Sequence, residues 1–137
     1  MNTPTLPRPC FLPFDPGKLS AGFPAPTGDH DERQLDINTY LVRNPAATFF
    51  FQVEGRSMEG AEIFDGDILV VDRSLTPRHG QIVVAFINGE RLVKRLHCRD
   101  NQVVLLAENR DFPPLPLHEG LELVIWGVVT GKFKRFV

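Results

Sequence analysis

The sequence has few cysteines and no long apolar run. Its two cysteines, Cys10 and Cys98, lie far apart, so they provide no disulfide framework and suit a reducing compartment. No apolar stretch approaches the roughly 18 residues that span a bilayer. The N-terminus Met1-Asn2-Thr3-Pro4 also lacks the basic start and the apolar stretch of a signal peptide. We therefore expect a cytoplasmic protein that does not associate with membranes.

An excess of charge of either sign is absent too. The formal net charge is -2 and 23% of the 137 residues are charged. This composition is typical neither of a strongly basic nucleic-acid binder nor of a disordered acidic chain. The sequence contains no glycine-rich phosphate loop. Its four histidines show no metal-ligand spacing; they are His30, His79, His97 and His118. We therefore expect no metal, nucleotide or other cofactor.

Proline, by contrast, is concentrated at one end of the chain. Seven of the twelve prolines fall within the first 26 residues, where they remove backbone donors and disfavour regular helix and sheet. Residues 1–26 are therefore predicted to be an extended N-terminal arm. Phe11, Leu12 and Phe14 make this arm apolar enough to dock on the rest of the protein. Residues 27–137 are predicted to form one domain, with a short helix between Asp31 and Asn44.

From Thr48 onward the pattern is typical of β-structure. Runs of branched and aromatic residues alternate with turn signals such as Asp65-Gly66-Asp67 and Asn88-Gly89. The predicted strands are Thr48 to Val53, Ile68 to Val71, Ile82 to Ile87, Arg91 to Leu96, Val103 to Ala107 and Leu121 to Val129. The fold class is therefore mostly β.

The Asn88-Gly89 turn places a lysine on an apolar strand face. As a two-residue hairpin loop it pairs Ala85 with Leu92 and Val83 with Lys94. Because strand side chains alternate, Lys94 is then the one cation on a face that is otherwise apolar. Such a lysine either extends past an edge to water or lies partly desolvated, and desolvation lowers its pKa. The second outcome would make Lys94 a base.

A serine lies where the chain leaves the first strand of this β-region. Ser57 belongs to Gly55-Arg56-Ser57-Met58-Glu59-Gly60, whose glycines permit a tight turn. The motif matches neither G-x-S-x-G nor S-x-x-K. Taken alone, Ser57 could equally be a turn residue that bonds its own backbone.

Together these features resemble the S24 peptidase family of LexA and UmuD. The shared features are G-x-S-M at Ser57, Asp65-Gly66-Asp67 before a strand, and Lys94 in a glycine-linked hairpin. Lys94 follows Ser57 by 37 residues, which is the interval of the family. The bond between Ala21 and Gly22 lies where UmuD proteins are cut, and LexA-like members also cleave Ala-Gly bonds.

This resemblance implies a compact LexA-like self-cleaving domain of twisted antiparallel sheets with an extended N-terminal arm. It implies that Ser57 attacks the carbonyl of Ala21 with Lys94 as base, and that the backbone amides of Arg56 and Ser57 hold the oxyanion. In the family, a RecA filament on single-stranded DNA promotes the cut after DNA damage. The product is a UmuD'-like subunit that forms a homodimer and joins a UmuC-type translesion polymerase.

Three other functions compete with this interpretation. Only 56 residues precede Ser57 and they predict no helix-turn-helix, which argues against sequence-specific DNA binding by a repressor. A signal peptidase uses similar Ser/Lys chemistry, but it needs a membrane anchor, and the sequence has no apolar stretch long enough to form one. The remaining alternative is a non-catalytic polymerase-accessory module with a relic Ser57 and Lys94. The intact Ala21-Gly22 sequence argues against that alternative.

Overall fold

The chain forms two units in the computed structural model, which describes residues 8–24, 33–116 and 120–137. The units are Met1–Arg43 and Asn44–Val137. The predicted boundary after residue 26, together with His30 and His118, lies outside the described residues. No helix in the described part of the chain is long and apolar enough to cross a membrane.

The first unit contains a small antiparallel strand pair and a short helix. Strand β1 (Leu12–Phe14) pairs with β2 (Arg33–Leu35), and helix α1 (Ile37–Leu41) begins after Asp36, whose carboxylate accepts from the Asn38 amide at 3.0 Å. The helix predicted in this region is confirmed. The expectation that the arm has no regular sheet is wrong, because in a two-stranded sheet a proline can direct its missing donor away from the partner strand.

The second unit is a seven-stranded antiparallel sheet. It has the strand order β3-β4-β9-β5-β6-β7-β8, and a short 3-10 turn, Glu59–Ala61, follows β3. All six predicted strands are confirmed within a few residues, while β8 was not predicted. The strands are β3 (Thr48–Gln52), β4 (Ile68–Asp72), β5 (Ile82–Ile87), β6 (Glu90–Arg99), β7 (Gln102–Leu106), β8 (Leu115–Pro116) and β9 (Leu123–Phe133). The mostly β fold class is confirmed.

The hairpin between β5 and β6 has the predicted register. Asn88 and Gly89 have φ values of +49° and +81°, which a two-residue turn with left-handed residues requires. Val83 therefore lies opposite Lys94, and Ala85 lies opposite Leu92. The turn chemistry thus decides which face of β6 carries Lys94.

Both faces of this sheet are covered by apolar side chains. On one face, Val83, Ala85 and Leu96 belong to a buried cluster in which Leu92 also packs. On the other face, Val84 packs with the buried Met58, and Val93 lies against this second cluster. Lys94 belongs to the first face by alternation along β6. Met58 packs in the second cluster and so anchors the segment around Ser57 to that face of the sheet.

A buried carboxylate joins the last strand to the turn before β4. Asp67 is 1% exposed, and its Oδ2 accepts from the Phe64 amide and from Lys132 Nζ, both at 2.8 Å. Lys134 Nζ lies 3.3 Å from Oδ1 as an ion pair without hydrogen-bond geometry. Burial alone would raise the pKa of Asp67, but the hydrogen bonds from Lys132 and the Phe64 amide and the ion pair with Lys134 outweigh it, so this pKa lies below its usual range.

Replacing this carboxylate should destabilise the fold in a pH-dependent way. Asp67→Asn should cost about 1 to 3 kcal/mol near pH 7, since the lysines lose their anion but keep access to water. Because the folded pKa is lowered, the wild-type advantage is complete above the unfolded pKa of about 3.9 and disappears as the pH falls through the folded value. Urea unfolding between pH 2 and 7 measures this.

The matched control for that experiment is Asp72→Asn. Asp72 is 2% exposed, and its Oδ1 accepts from the amide and hydroxyl of Ser74. An asparagine oxygen can still accept these bonds, so the loss should be smaller. An Asp67→Asn protein with wild-type stability at pH 7 would show that the lysine pairs contribute nothing.

Candidate active site

The loop that carries Ser57 leaves β3 and is fixed at its start by the following turn. We call residues 55–60 the serine loop. The Gly55 amide donates to Asp65 Oδ1 at 2.8 Å, and the amides of Val53 and Gly66 donate to the carbonyls of Asp67 and Val53, also at 2.8 Å. Gly55 has a φ of +97°, which favours glycine. The predicted role of Asp65-Gly66-Asp67 as a turn is confirmed, and the turn holds the loop in place.

A second segment, residues 108–112 after β7, braces the far side of the serine loop. The Glu108 amide donates to the Ser57 carbonyl at 2.8 Å, and the Gly60 amide donates to the Glu108 carbonyl at 2.6 Å. Asn109 Nδ2 donates to the Arg56 carbonyl at 2.8 Å. A Cβ at residue 60 would lie 2.6 Å from the Glu108 carbonyl oxygen, so the close approach requires glycine there.

The serine loop leaves polar groups available around Ser57. Ser57 is half-buried, and its hydroxyl has no hydrogen-bond partner among the described residues. The backbone N–H groups of Arg56 and Ser57 likewise donate to no acceptor in the described ranges. Arg56, Gly60 and Glu108 line an open cleft of about 760 Å³. Neither Ser57 nor Lys94 lines this cleft.

Lys94 is half-buried on β6 with an aromatic ring as its neighbour. Its Nζ lies 5.7 Å from the centre of the Phe112 ring, and it forms no ion pair within residues 8–24, 33–116 and 120–137. A ring face attracts an ammonium, whereas burial disfavours it. Burial lowers the pKa of Lys94. Lys94 is thus the partly desolvated amine that the hairpin pattern allowed.

The segment 108–112 brings the serine loop and Lys94 into one neighbourhood. Its first residues bind the backbone on both sides of Ser57, and its last residue lies against Lys94. No hydrogen bond joins Ser57 Oγ to Lys94 Nζ in the part of the chain that the structure describes. The catalytic roles of the two residues therefore stay predictions.

The sequence interpretation missed Glu108, Asn109 and Phe112. They directly follow a predicted strand, where charged and polar residues are typical of any surface loop. The contacts of Glu108 and Asn109 with the serine loop join positions about 50 residues apart in sequence. No local sequence pattern predicts such contacts.

The predicted cleavage site lies in the first unit in an exposed bend. Ser20 Oγ donates to the Phe23 carbonyl and accepts from the Gly22 amide, the latter at 3.2 Å. Ala21 and Gly22 are both exposed. Within the described ranges, a Cβ at Gly22 would meet no atom within 4 Å. The bond is therefore exposed, and its cleavage stays a prediction.

Comparison with known proteins identifies the family. The family model described as Peptidase S24-like matches residues 13–130. The chain is 49% identical over 122 residues to protein MucA of Salmonella typhimurium, covering 87% of this chain and 82% of that protein. It is 43% identical over 128 residues to protein ImpA of Shigella flexneri, covering 93% and 84%. A LexA repressor of Thiobacillus denitrificans is 41% identical over 119 residues, covering 86% of this chain and 59% of the repressor.

These matches confirm the resemblance to LexA and UmuD that the motifs around Ser57 and Lys94 indicated. They support a UmuD-type role related to the SOS response and place the chain in a family of self-cleaving serine peptidases. The chain belongs to the Peptidase S24-like family.

Proposed function

We propose that this protein cuts its own chain, or a second copy, between Ala21 and Gly22, with Ser57 as nucleophile and Lys94 as base. The observation that carries the proposal is the position of residues 108–112, which bind the serine loop and also contact the desolvated Lys94. A neutral amine beside a serine hydroxyl can take its proton. Arginine or a fully hydrated lysine could not do this near neutral pH.

The first half of the reaction forms an acyl-enzyme. The hydroxyl of Ser57 attacks the carbonyl carbon of Ala21 while its proton passes to the neutral amine of Lys94. The oxyanion accepts hydrogen bonds from the amides of Arg56 and Ser57, which already lie in a braced loop. The carbon-nitrogen bond then breaks, and Lys94 returns the proton to the departing amine of Gly22.

The second half hydrolyses this ester. A water molecule gives a proton to Lys94 and attacks the same carbonyl carbon, and the ester bond to Ser57 Oγ breaks. The products are a peptide that ends at Ala21 and a shortened protein that begins at Gly22. Lys94 passes its proton back to Ser57, so the site is restored.

The chain between Gly22 and Ser57 permits the proposal for either copy. Its 35 residues would span about 115 Å if fully extended, and β2, α1 and β3 within it shorten that reach. The scissile bond can therefore come from the same chain or from the other member of a homodimer. Either arrangement gives Ala21 a high effective concentration at Ser57.

The proposed biological setting follows from the family and from the exposed apolar arm. Phe11, Leu12 and Phe14 are all more than 40% exposed, so the arm carries an apolar surface that cleavage removes. We propose that a RecA filament on single-stranded DNA promotes the cut. The shortened chain then serves as a subunit of a UmuC-type translesion polymerase in the cytoplasm.

Unassisted cleavage should accelerate as the pH rises. Burial lowers the pKa of Lys94 from its ordinary value of 10.5, so the half-maximal rate should fall below pH 10.5. At lower pH the rate should rise about tenfold per pH unit, because the neutral fraction of a single amine rises in that proportion. Quantifying the processed band between pH 6 and 11 measures this profile.

The control for this profile is Ser57→Ala, which should show no cleavage at any pH. Cleavage of that variant at high pH would mean that hydroxide, rather than the enzyme, breaks the bond. A wild-type rate that reaches its plateau near pH 6.5 would indicate a histidine base and contradict the assignment of Lys94.

A further inference from the structure

We propose that Glu108 is a positioning residue that ties the serine loop to the strand of Lys94. This inference rests on the proposed function, because it concerns how the nucleophile and the base are held in register. Glu108 reaches both elements at once, through its backbone on one side and its carboxylate on the other.

The backbone of Glu108 holds the serine loop at two points. Its N–H donates to the carbonyl of Ser57, and its carbonyl accepts from the N–H of Gly60. The first of these bonds lies just before the 3-10 turn that begins at Glu59, and the second lies within that turn. Any residue at position 108 could form them, so they do not depend on the carboxylate.

The carboxylate of Glu108 holds β6. Its Oε1 accepts from Arg95 Nε, and Arg95 Nη1 donates to the Gly80 carbonyl at 2.6 Å. Arg95 is the residue next to Lys94 and pairs with Leu106 of β7. The ion pair therefore fixes the distance between the serine loop and the point of β6 where the base is attached.

This ion pair differs from a simple surface pair. The side chains of Arg95 and Glu108 are 33% and 31% exposed, and a third group, the Gly80 carbonyl, fixes the guanidinium. In the same loop, Arg56 and Glu59 also pair, but the Arg56 side chain is 73% exposed and the two residues are neighbours in sequence. The first pair connects two elements, whereas the second connects the loop only to itself.

A small displacement between the serine loop and β6 is enough to matter. Proton transfer from Ser57 to Lys94 needs the two atoms within hydrogen-bond reach, and a shift of about 1 Å can lower a rate by up to about a hundredfold. Without the carboxylate the two backbone bonds remain, so the loop stays folded but its position relative to Lys94 is less defined. We expect about a tenfold lower rate.

The test is Glu108→Gln in the full chain, with Glu122→Gln, an exposed carboxylate just before β9, as the matched control. Two rates are measured well below the melting temperature: self-cleavage, and labelling of Ser57 by diisopropyl fluorophosphate. In labelling, the bond from Ser57 Oγ to phosphorus forms, the phosphorus-fluorine bond breaks, fluoride leaves and Lys94 takes the proton. Labelling does not require the N-terminal arm as a substrate, so the labelling rate depends only on the nucleophile and the base.

For Glu108→Gln, both plateau rates should fall about tenfold. The pH midpoint should not move, because burial is the cause of the lowered pKa of Lys94. Arg95→Gln should give a similar loss, and the double variant should lose no more than either single variant. Glu122→Gln should label and cleave at wild-type rates.

The alternative outcomes separate the two proposals. Wild-type rates in Glu108→Gln, or a loss that merely follows the fraction of unfolded protein, would overturn the positioning role and leave the Ser57 chemistry intact. A shifted midpoint with an unchanged plateau would mean that Glu108 acts by its charge and would also overturn it. Self-cleavage of Ser57→Ala at the wild-type rate would overturn the proposed function, and the positioning role with it.

Discussion

Ser57→Ala and Lys94→Ala should each lower self-cleavage by about a thousandfold or more while the protein stays folded. Nucleophile and base act as one unit, so removing either removes nearly the whole effect, and the double variant should be no slower than the single ones. The measurement is the fraction of processed chain after long incubation at high pH, beside circular dichroism of each variant. Ser74→Ala is the control serine and should cleave normally.

The stability of a Lys94 variant tests the burial of the lysine ammonium independently of cleavage. The folded state lowers the pKa of Lys94, so burying the ammonium disfavours folding fully below that pKa, and this penalty fades as the pH rises from the folded to the unfolded pKa. Lys94→Met removes the charge and keeps the apolar stem. Its melting temperature at pH 7 should equal or exceed that of the wild type. A marked decrease would mean that Lys94 has a structural role instead of a catalytic one.

Gly22→Trp should stop processing and leave the rest of the protein unchanged. The bend around Gly22 is exposed, and a Cβ there meets no atom of the described residues within 4 Å, so we expect a larger side chain to extend into solvent. It would, however, obstruct the approach of the Ala21 carbonyl to Ser57, where the two backbones must come close. We expect at least about a hundredfold slower cleavage in a time course followed by intact mass.

The control for this change is Arg8→Trp, which adds the same bulk at another exposed position in the arm, far from the scissile bond in sequence. That variant should be processed at close to the wild-type rate. Normal processing of Gly22→Trp would place the cleaved bond elsewhere in the chain, whatever the roles of Ser57 and Lys94.

The hairpin that carries Lys94 could be predicted residue by residue, since its information is local. Asn88-Gly89 selects a two-residue turn, that turn sets the register, and alternation then assigns each side chain to a face. The predicted pairing of Val83 with Lys94 is the one observed. The strands were predictable for the same reason, because branched and aromatic runs bounded by turn residues are local signals.

Contacts between distant segments could not be predicted in this way. The arm contains Pro13, which disfavours a strand, yet a partner 21 residues later makes β1 and β2 possible. The brace at Glu108 and Asn109 depends on how β7 ends beside the serine loop. Single residues such as these carry no periodicity, so their importance becomes apparent only in the folded protein.

The most direct test of the account is the identity of the first residue of the processed protein. Purified wild-type chain is incubated at about pH 9.5, where a larger fraction of Lys94 is neutral than at pH 7, with Ser57→Ala in parallel. Intact mass and N-terminal sequencing then identify the product. The account predicts a chain that begins at Gly22 in the wild type alone. A product that begins elsewhere, or the same product from Ser57→Ala, would contradict it.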